Sequence, residues 1–183
     1  MKTKLNTFNP ANFDKNAGTI KRTIWFFINA ILIESSWMPV MYLKKLLIKA
    51  FGAKIGKGFV IKPSVRIKFP WKLEIGEYVW LGEGCWIDNL ERVKIGSNVC
   101  ISQGAMLLTG NHDYNVSSFD YRNAPIILEE GVWIGAKSVV CPGVTCKSHS
   151  ILTVGSVATK DLEAYSIYQG NPALKIRDRK IYK

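Results

Sequence analysis

Lys54–Pro63 reads KIGKGFVIKP, Glu74–Glu83 reads EIGEYVWLGE and Lys94–Gln103 reads KIGSNVCISQ, so a charged residue, isoleucine and glycine return every twenty residues. Through these stretches the aliphatic residues keep a count of six. Ile55, Ile61 and Ile67 are followed, after a two-residue slip, by Ile75, Leu81 and Ile87, and after another slip by Ile95, Ile101 and Leu107. The count resumes as Leu128, Ile134, Val140, Cys146, Leu152 and Ala158, with small residues four positions on at Ser138, Val144, Ser150 and Ser156. A period of six fits neither the helical 3.6 nor a long strand of period two, so each hexad is read as a short strand plus a corner. Gly56, Gly76, Gly82, Gly96 and Gly135 each follow an aliphatic, where a corner needs positive φ or close backbone approach. Three hexads close a triangular coil whose aliphatics point into a shaft shared with the coils above and below. The expectation is a mainly β fold, a parallel β-helix of about five coils. A sandwich of hairpins alternates strand direction and does not hold one register over successive hexads.

Around this coil the chain divides into three expected parts: an N-terminal extension over residues 1–53, the β-helix over 54–160 with a loop expelled at 108–127, and a short C-terminal tail over 161–183. The 183 residues suit one main domain, and 48% hydrophobic with 21% charged residues is a globular composition. In the extension, Trp25, Phe26, Phe27, Ile31, Leu32 and Ile33 precede Pro39, and Leu43, Leu46, Leu47 and Ile48 follow it beside Lys44, Lys45 and Lys49. This predicts two amphipathic helices broken at Pro39. The apolar run Ile24–Ile33 is shorter than the ~20 residues of a membrane span. Two uses of residues 20–50 stay open: peripheral contact with a membrane interface, or packing on the coil or a neighbouring subunit.

Twenty-five Lys and Arg against fourteen Asp and Glu give +11, which favours an anionic partner such as a phosphorylated cofactor or a lipid headgroup. No nucleic-acid module is recognised, so none is expected as partner. Cys85, Cys100, Cys141 and Cys146 form no CxxC pair or zinc spacing and are read as reduced thiols of a cytoplasmic protein without a signal peptide. Two histidines are too few for a three-histidine zinc centre, so no metal is expected.

Three groups of motifs resemble a known family: FGAKIGKGFVIKPSVRIKFPWKLEIG at the start of the repeats, ISQGAMLLTGNHDY in the middle, and VWIGAKSVVCPGV through VGSVATKDL to GNPALKIR at the end. Over residues 40–177 the chain is similar to the hexapeptide-repeat acyltransferases, most closely to acetyltransferases of the colanic acid biosynthesis (WcaF) type. The resemblance implies a left-handed β-helix assembled as a homotrimer, with acetyl-CoA as co-substrate in a groove along the later coils between subunits. It implies cofactor contacts at Ala136, Val154, Gly155, Thr159, Lys160 and Arg177, the last two suited to phosphates. Where sugar acetyltransferases carry another arginine, this chain has Leu174 beside Lys175.

The count of six breaks between Leu107 and Leu128 at LTGNHDYNVSSFDYRNAPII, a polar and aromatic loop carrying His112. Irregular loops on rigid scaffolds are where function collects, and an imidazole takes a proton from a hydroxyl near neutral pH. In TGNHDY, His112 matches the family's general base, which implies direct transfer of acetyl to a hydroxyl without an acyl-enzyme. Asp88 or a backbone carbonyl is the expected partner orienting His112. His149, at an outward position of CKSHSI, is read as solvated surface without a role. For the acceptor, Asp88, Asn89, Asn111, Asp113 and Tyr114 are the candidate contacts, with Trp80 or Trp86 as stacking faces. Gly82 and Leu90 stand where galactoside-type relatives carry sugar-binding residues, so the acceptor differs. The resemblance implies a sugar of an exopolysaccharide, capsule or O-antigen precursor, lipid-linked in one variant, which places the protein at the inner face of the membrane. The reading kept against it is a non-catalytic polysaccharide- or membrane-binding β-helix.

Overall fold

A computed structural model describes residues 2–10, 13–37 and 40–182. The first coil is β1 (Lys54–Ile55), β2 (Val60–Ile61) and β3 (Arg66–Ile67), and the second is β4 (Leu73–Ile75), β5 (Trp80–Leu81) and β6 (Trp86–Asp88). The third is β7 (Val93–Ile95), β8 (Cys100–Ile101) and β9 (Met106–Leu108), followed after the loop by β10 (Ile126–Leu128), β11 (Trp133–Ile134) and β12 (Val139–Val140). The fifth is β13 (Thr145–Cys146), β14 (Ile151–Leu152) and β15 (Val157–Ala158). First strands pair in parallel with first strands, second with second and third with third, giving three faces of a prism. Every predicted hexad aliphatic, from Ile55 to Ala158, is buried in one shaft. Burying each Ile or Leu contributes roughly 1.5–3 kcal/mol, and the coils stack at about 4.8 Å.

The corners repeat as well. Glycine after the aliphatic answers close approach: a Cβ on Gly56 meets the Gly76 carbonyl oxygen at 2.6 Å, and one on Gly135 meets the Val154 nitrogen at 2.6 Å. The left-handed backbone lies two residues further on, at glycines such as Gly104 (φ 63°) and also at Ser64, Tyr78, Asn98, Lys137 and His149. His149 therefore belongs to a turn: it is half-buried, its ring packs on Tyr165 with centroids 4.8 Å apart, and its carbonyl accepts from Arg179 at 3.0 Å. The expectation of a freely solvated side chain is corrected.

Both slips and the break in the count fall at one corner, between the third and first faces. There the chain makes a tight turn over Pro70–Lys72 after β3, a short crossing at residues 89–92 after β6, and the long loop at 109–125 after β9. One column of the prism is irregular; the other two are uniform.

The open end of the coil is capped by helix. α1 (Thr19–Ile28) continues as a π-helical turn (Asn29–Ile33), and α2 (Met41–Ala50) packs on β1 and β2. The predicted break, Pro39, lies outside the described residues. Trp25 Nε1 donates to the Ile67 carbonyl at 2.9 Å, Asn29 Oδ1 accepts from Ile67 N at 3.2 Å, and Glu34 pairs with Arg66, so the cap satisfies the exposed edge of β3. α2 departs from the expected lysine-outward arrangement. Lys44 is buried, donating to the carbonyls of Ile33 (2.8 Å) and Ser35 (3.3 Å) at the end of the π turn, while Tyr42 and Leu46 face outward. Desolvation pulls the Lys44 ammonium below its ordinary pKa. At the other end, Leu162 bridges Cys146 to begin a sixth turn. Residues after 160, expected as a short tail, instead carry β16 (Ser166–Gly170) and β17 (Ala173–Asp178), an antiparallel pair that extends the second face to seven strands.

Candidate active site

The loop after β9 is a small hairpin. Ala124 N donates to the Thr109 carbonyl at 3.0 Å, Arg122 N to Asn111 at 2.8 Å and Asp113 N to Asp120 at 2.8 Å, and His112 bridges Tyr121. Its tip turns through Phe119, held at φ 55°. A side-chain residue in this region is strained by about 1–3 kcal/mol, and here the turn aims the Phe119 carbonyl at His112. That oxygen lies 2.6 Å from Nδ1. A carbonyl only accepts, so Nδ1 is the donor, and in the neutral ring this leaves the lone pair on Nε2. The expectation of a carbonyl partner is met by Phe119, whereas Asp88 pairs instead with Lys68 Nζ at 2.8 Å.

Aromatic rings fix the imidazole plane. His112 stacks on Phe119 (4.4 Å, 8°) and on Tyr121 (4.9 Å, 28°), with Phe8 at 5.8 Å. Phe8 belongs to the N-terminal segment, which straps the loop: Lys4 N donates to the Ser117 carbonyl at 2.7 Å, and Phe8 and Phe13 each lie 5.2 Å from Tyr121. The strap is tied down where Trp71 Nε1 donates to the Lys15 carbonyl (2.8 Å) and buried Lys72 donates to those of Asp14 (2.9 Å) and Leu90 (2.6 Å). None of Phe8, Phe13 or the Phe119 carbonyl was singled out from sequence. The alternation of Phe119 and Tyr121 was a strand signal available in the loop; the strap carries no such signal.

Of the acceptor candidates, Asp88 ends β6 on the third face, and Asn89, Asn111, Asp113 and Tyr114 share the irregular column with His112. Asn89 is corrected: it is fully buried, its Oδ1 accepting from Phe69 N (2.9 Å) and its Nδ2 donating to Phe69 O (2.6 Å), so its amide is spent on the coil. Asn111 Oδ1 accepts from His112 N at 2.8 Å and Asp113 Oδ1 from Asn115 N at 3.0 Å, both shaping the loop. Tyr114 is exposed. Trp80 is exposed on the second face, and Trp86 stacks under Arg66 at 5.4 Å on the third.

The six cofactor candidates gather on the later coils but on three sides. Ala136, Val154 and Gly155 stack at the corner between the second and third faces, where Gly155 N donates to the Ala136 carbonyl at 2.9 Å. Thr159 and Lys160 lie exposed in the irregular column, two coils beyond the origin of the His112 loop. Arg177 sits on β17 opposite Ile167. Neither Lys160 nor Arg177 makes an ion pair among the described residues, so both cations are open to an anion. Lys175 is not: Glu163 and Asp178 each hold its ammonium at 2.9 Å and raise its pKa.

Among the described residues no serine or cysteine side chain hydrogen-bonds His112, and Ser118 Oγ in the same loop donates to Asp120 at 2.7 Å. Ser102 Oγ accepts from Trp133 Nε1 at 2.9 Å on another corner. Burial pushes the Cys85 and Cys146 thiols up to about 12 and also raises Cys100 and Cys141. Among the described residues no cluster of three metal-ligating side chains occurs.

No family model matches the chain. It is, however, 37% identical over 167 residues, 90% of its own length and 91% of the relative's, to the Escherichia coli K12 protein assigned as colanic acid biosynthesis acetyltransferase WcaF. The chain belongs to the hexapeptide-repeat acetyltransferases of the WcaF family. A more distant relative is the galactoside O-acetyltransferase of Escherichia coli K12, 30% identical over 139 residues, covering 74% of this chain and 68% of that enzyme. Among solved structures, the hexapeptide-repeat acetyltransferase of Vibrio cholerae in complex with acetyl coenzyme A superposes with a TM-score of 0.81 at 20% identity, over 92% of this chain and 93% of that one. At that identity the likeness speaks for the coil this WcaF relative shares.

Proposed function

We propose that this WcaF-family protein transfers acetyl from acetyl-CoA to a sugar hydroxyl, with His112 as general base. Nε2 takes the proton of the acceptor hydroxyl as its oxygen attacks the thioester carbonyl. The tetrahedral intermediate collapses, the C–S bond breaks, and the CoA sulfur leaves as thiol by taking the proton back from Nε2, which restores the neutral imidazole. The Phe119 carbonyl steadies the imidazolium and fixes the tautomer throughout. The observation that carries this reading is the 2.6 Å contact between that carbonyl and Nδ1, which leaves Nε2 basic.

Lys160 and Arg177 are the cations proposed for the cofactor's phosphates, with Ala136, Val154, Gly155 and Thr159 along its thin pantetheine arm. Their spread over three sides of one prism suits a groove completed by a neighbouring copy, as in a homotrimer. The acceptor is proposed as a sugar of an exopolysaccharide, capsule or O-antigen precursor, free or lipid-linked, met at Asp88, Asn111, Asp113 and Tyr114 at the cytoplasmic face of the membrane. The domain division follows function: residues 1–53 as cap and strap, 54–160 as scaffold, and 161–183 as a closing hairpin.

The test is thiol release from acetyl-CoA over a panel of sugars, with the product weighed by mass spectrometry. Acceptor-dependent release and an added acetyl group are expected. Protein that releases no thiol with any sugar, yet retains polysaccharide, supports the binding module instead.

A further inference from the structure

The helical cap is apolar on both sides. Inward, Trp25, Ile33 and Ile48 join the core of the coil. Outward, Ile20, Ile24, Phe27 and Ile31 follow the spacing of one helical stripe and are 48–78% exposed, and on α2 Tyr42 is 77% and Leu46 52% exposed. Folding of the protomer accounts for the inner face only. The placement of Lys44 sharpens this, because α2 buries a lysine while presenting tyrosine and leucine to the outside.

Charge identifies what lies against the outer face. Residues 15–73 hold twelve of the chain's 25 Lys and Arg but only one, Glu34, of its 14 Asp and Glu, so this stretch carries the whole net charge of +11 and the remainder balances at thirteen of each. In the coil, Lys54, Lys57, Lys68 and Lys72 are paired with carboxylates of the second coil. On α1 the cations turn to the coil, Lys21 lying over the Trp71 ring at 4.9 Å and Arg22 donating to Thr19 Oγ1 at 2.9 Å, whereas half-exposed Lys45 and exposed Lys49 on α2 meet no carboxylate among the described residues. Apposing two such faces from separate copies brings like charges together, whereas an anionic lipid surface receives both the apolar stripe and its cations. No helix among the described residues is long and apolar enough to cross a membrane, so the cap lies in the plane of the interface.

We propose that the outer face of α1, its π turn and α2 docks on a bilayer surface rich in anionic phospholipid, presenting the prism end-on. The inference stands on this face alone and survives whatever acceptor His112 serves.

The test is flotation of the full chain with phosphatidylcholine vesicles, with and without a third of phosphatidylglycerol. The protein floats with the anionic vesicles, stays behind with pure phosphatidylcholine, and is released by high salt. Ile24→Glu combined with Phe27→Glu, both at exposed positions, lowers binding by about tenfold or more with an unchanged melting curve. Lys45→Glu with Lys49→Glu, which keeps the apolar stripe, lowers it as well and removes the salt dependence. Wild-type protein that fails to float with anionic vesicles overturns the proposal, as does equal, salt-independent binding to neutral ones. If the Ile24/Phe27 variant floats normally but loses mass by light scattering, the face is an interface between copies and the proposal is wrong.

Discussion

The coil and the loop it expels are adjacent in sequence and built on different terms. In the coil one solution is repeated: an aliphatic turned inward, a close approach after it, a left-handed residue two places on. In the loop nothing repeats. His112 is set by one carbonyl, two stacked rings and a strap from the far end of the chain. Stability and the proposed chemistry therefore reside in separable parts, and substitutions are expected to divide between them.

The largest effect is expected from breaking the repeat. Ile134→Asp places an unpaired carboxylate in the shaft at a fully buried position, at a cost of several kcal/mol, on the order of the whole folding free energy. Circular dichroism melting is expected to show little or no folded protein; a variant melting like wild type denies that the shaft is the core.

The loop answers in activity. Phe119→Gly keeps the carbonyl and relieves a positive φ but removes a stacked ring worth about 0.5–1.5 kcal/mol, so the thiol-release rate drops up to about tenfold while Tm holds or rises. A lower Tm with an unchanged rate reverses the assignment of that ring. Phe8→Ala, one contact further out, is expected to lower the rate about threefold by loosening Tyr121 and His112, again without a shift in Tm.

These contrasts follow what the sequence made legible. The hexads announced the coil because each residue's burial is restated six positions on, and the place of the loop was legible as the failure of that count. Its interior was not: Lys4 reaches Ser117 across more than half of the chain, and Phe119 meets His112 through a backbone atom that every residue carries. Asn89 was misread because a polar residue beside a candidate site looks like a ligand contact, whereas here it is a buried rung holding Phe69. Lys44 departs from the expectation that lysine faces water because the end of the π turn and the residues just after it offer it the carbonyls of Ile33 and Ser35. The last strands were readable in principle, since SIYQG and ALKIRD flank an Asn-Pro turn in the manner of a hairpin.

The smallest effect lies where two successive coils stack at the corner between the first and second faces. Glu129 Oε2 accepts from Ser148 Oγ and N, both at 2.7 Å, and these bonds hold its carboxyl below the ordinary value. A depressed carboxylate stabilises fully above its unfolded pKa of about 4.3 and loses that contribution as pH falls through the folded value. Glu129→Gln is therefore expected to lower Tm slightly near neutrality and to flatten the fall of Tm on acidification; an identical acid profile in both proteins removes Glu129 from the account.

The central claim is that an imidazole on the expelled loop, held by a carbonyl, does the proton transfer. It is tested most directly by thiol release from acetyl-CoA, with acceptor present, for wild type and His112→Ala matched in Tm. A fall of about 10²–10⁴-fold in kcat is expected. A His112→Ala protein that releases thiol at the wild-type rate contradicts it.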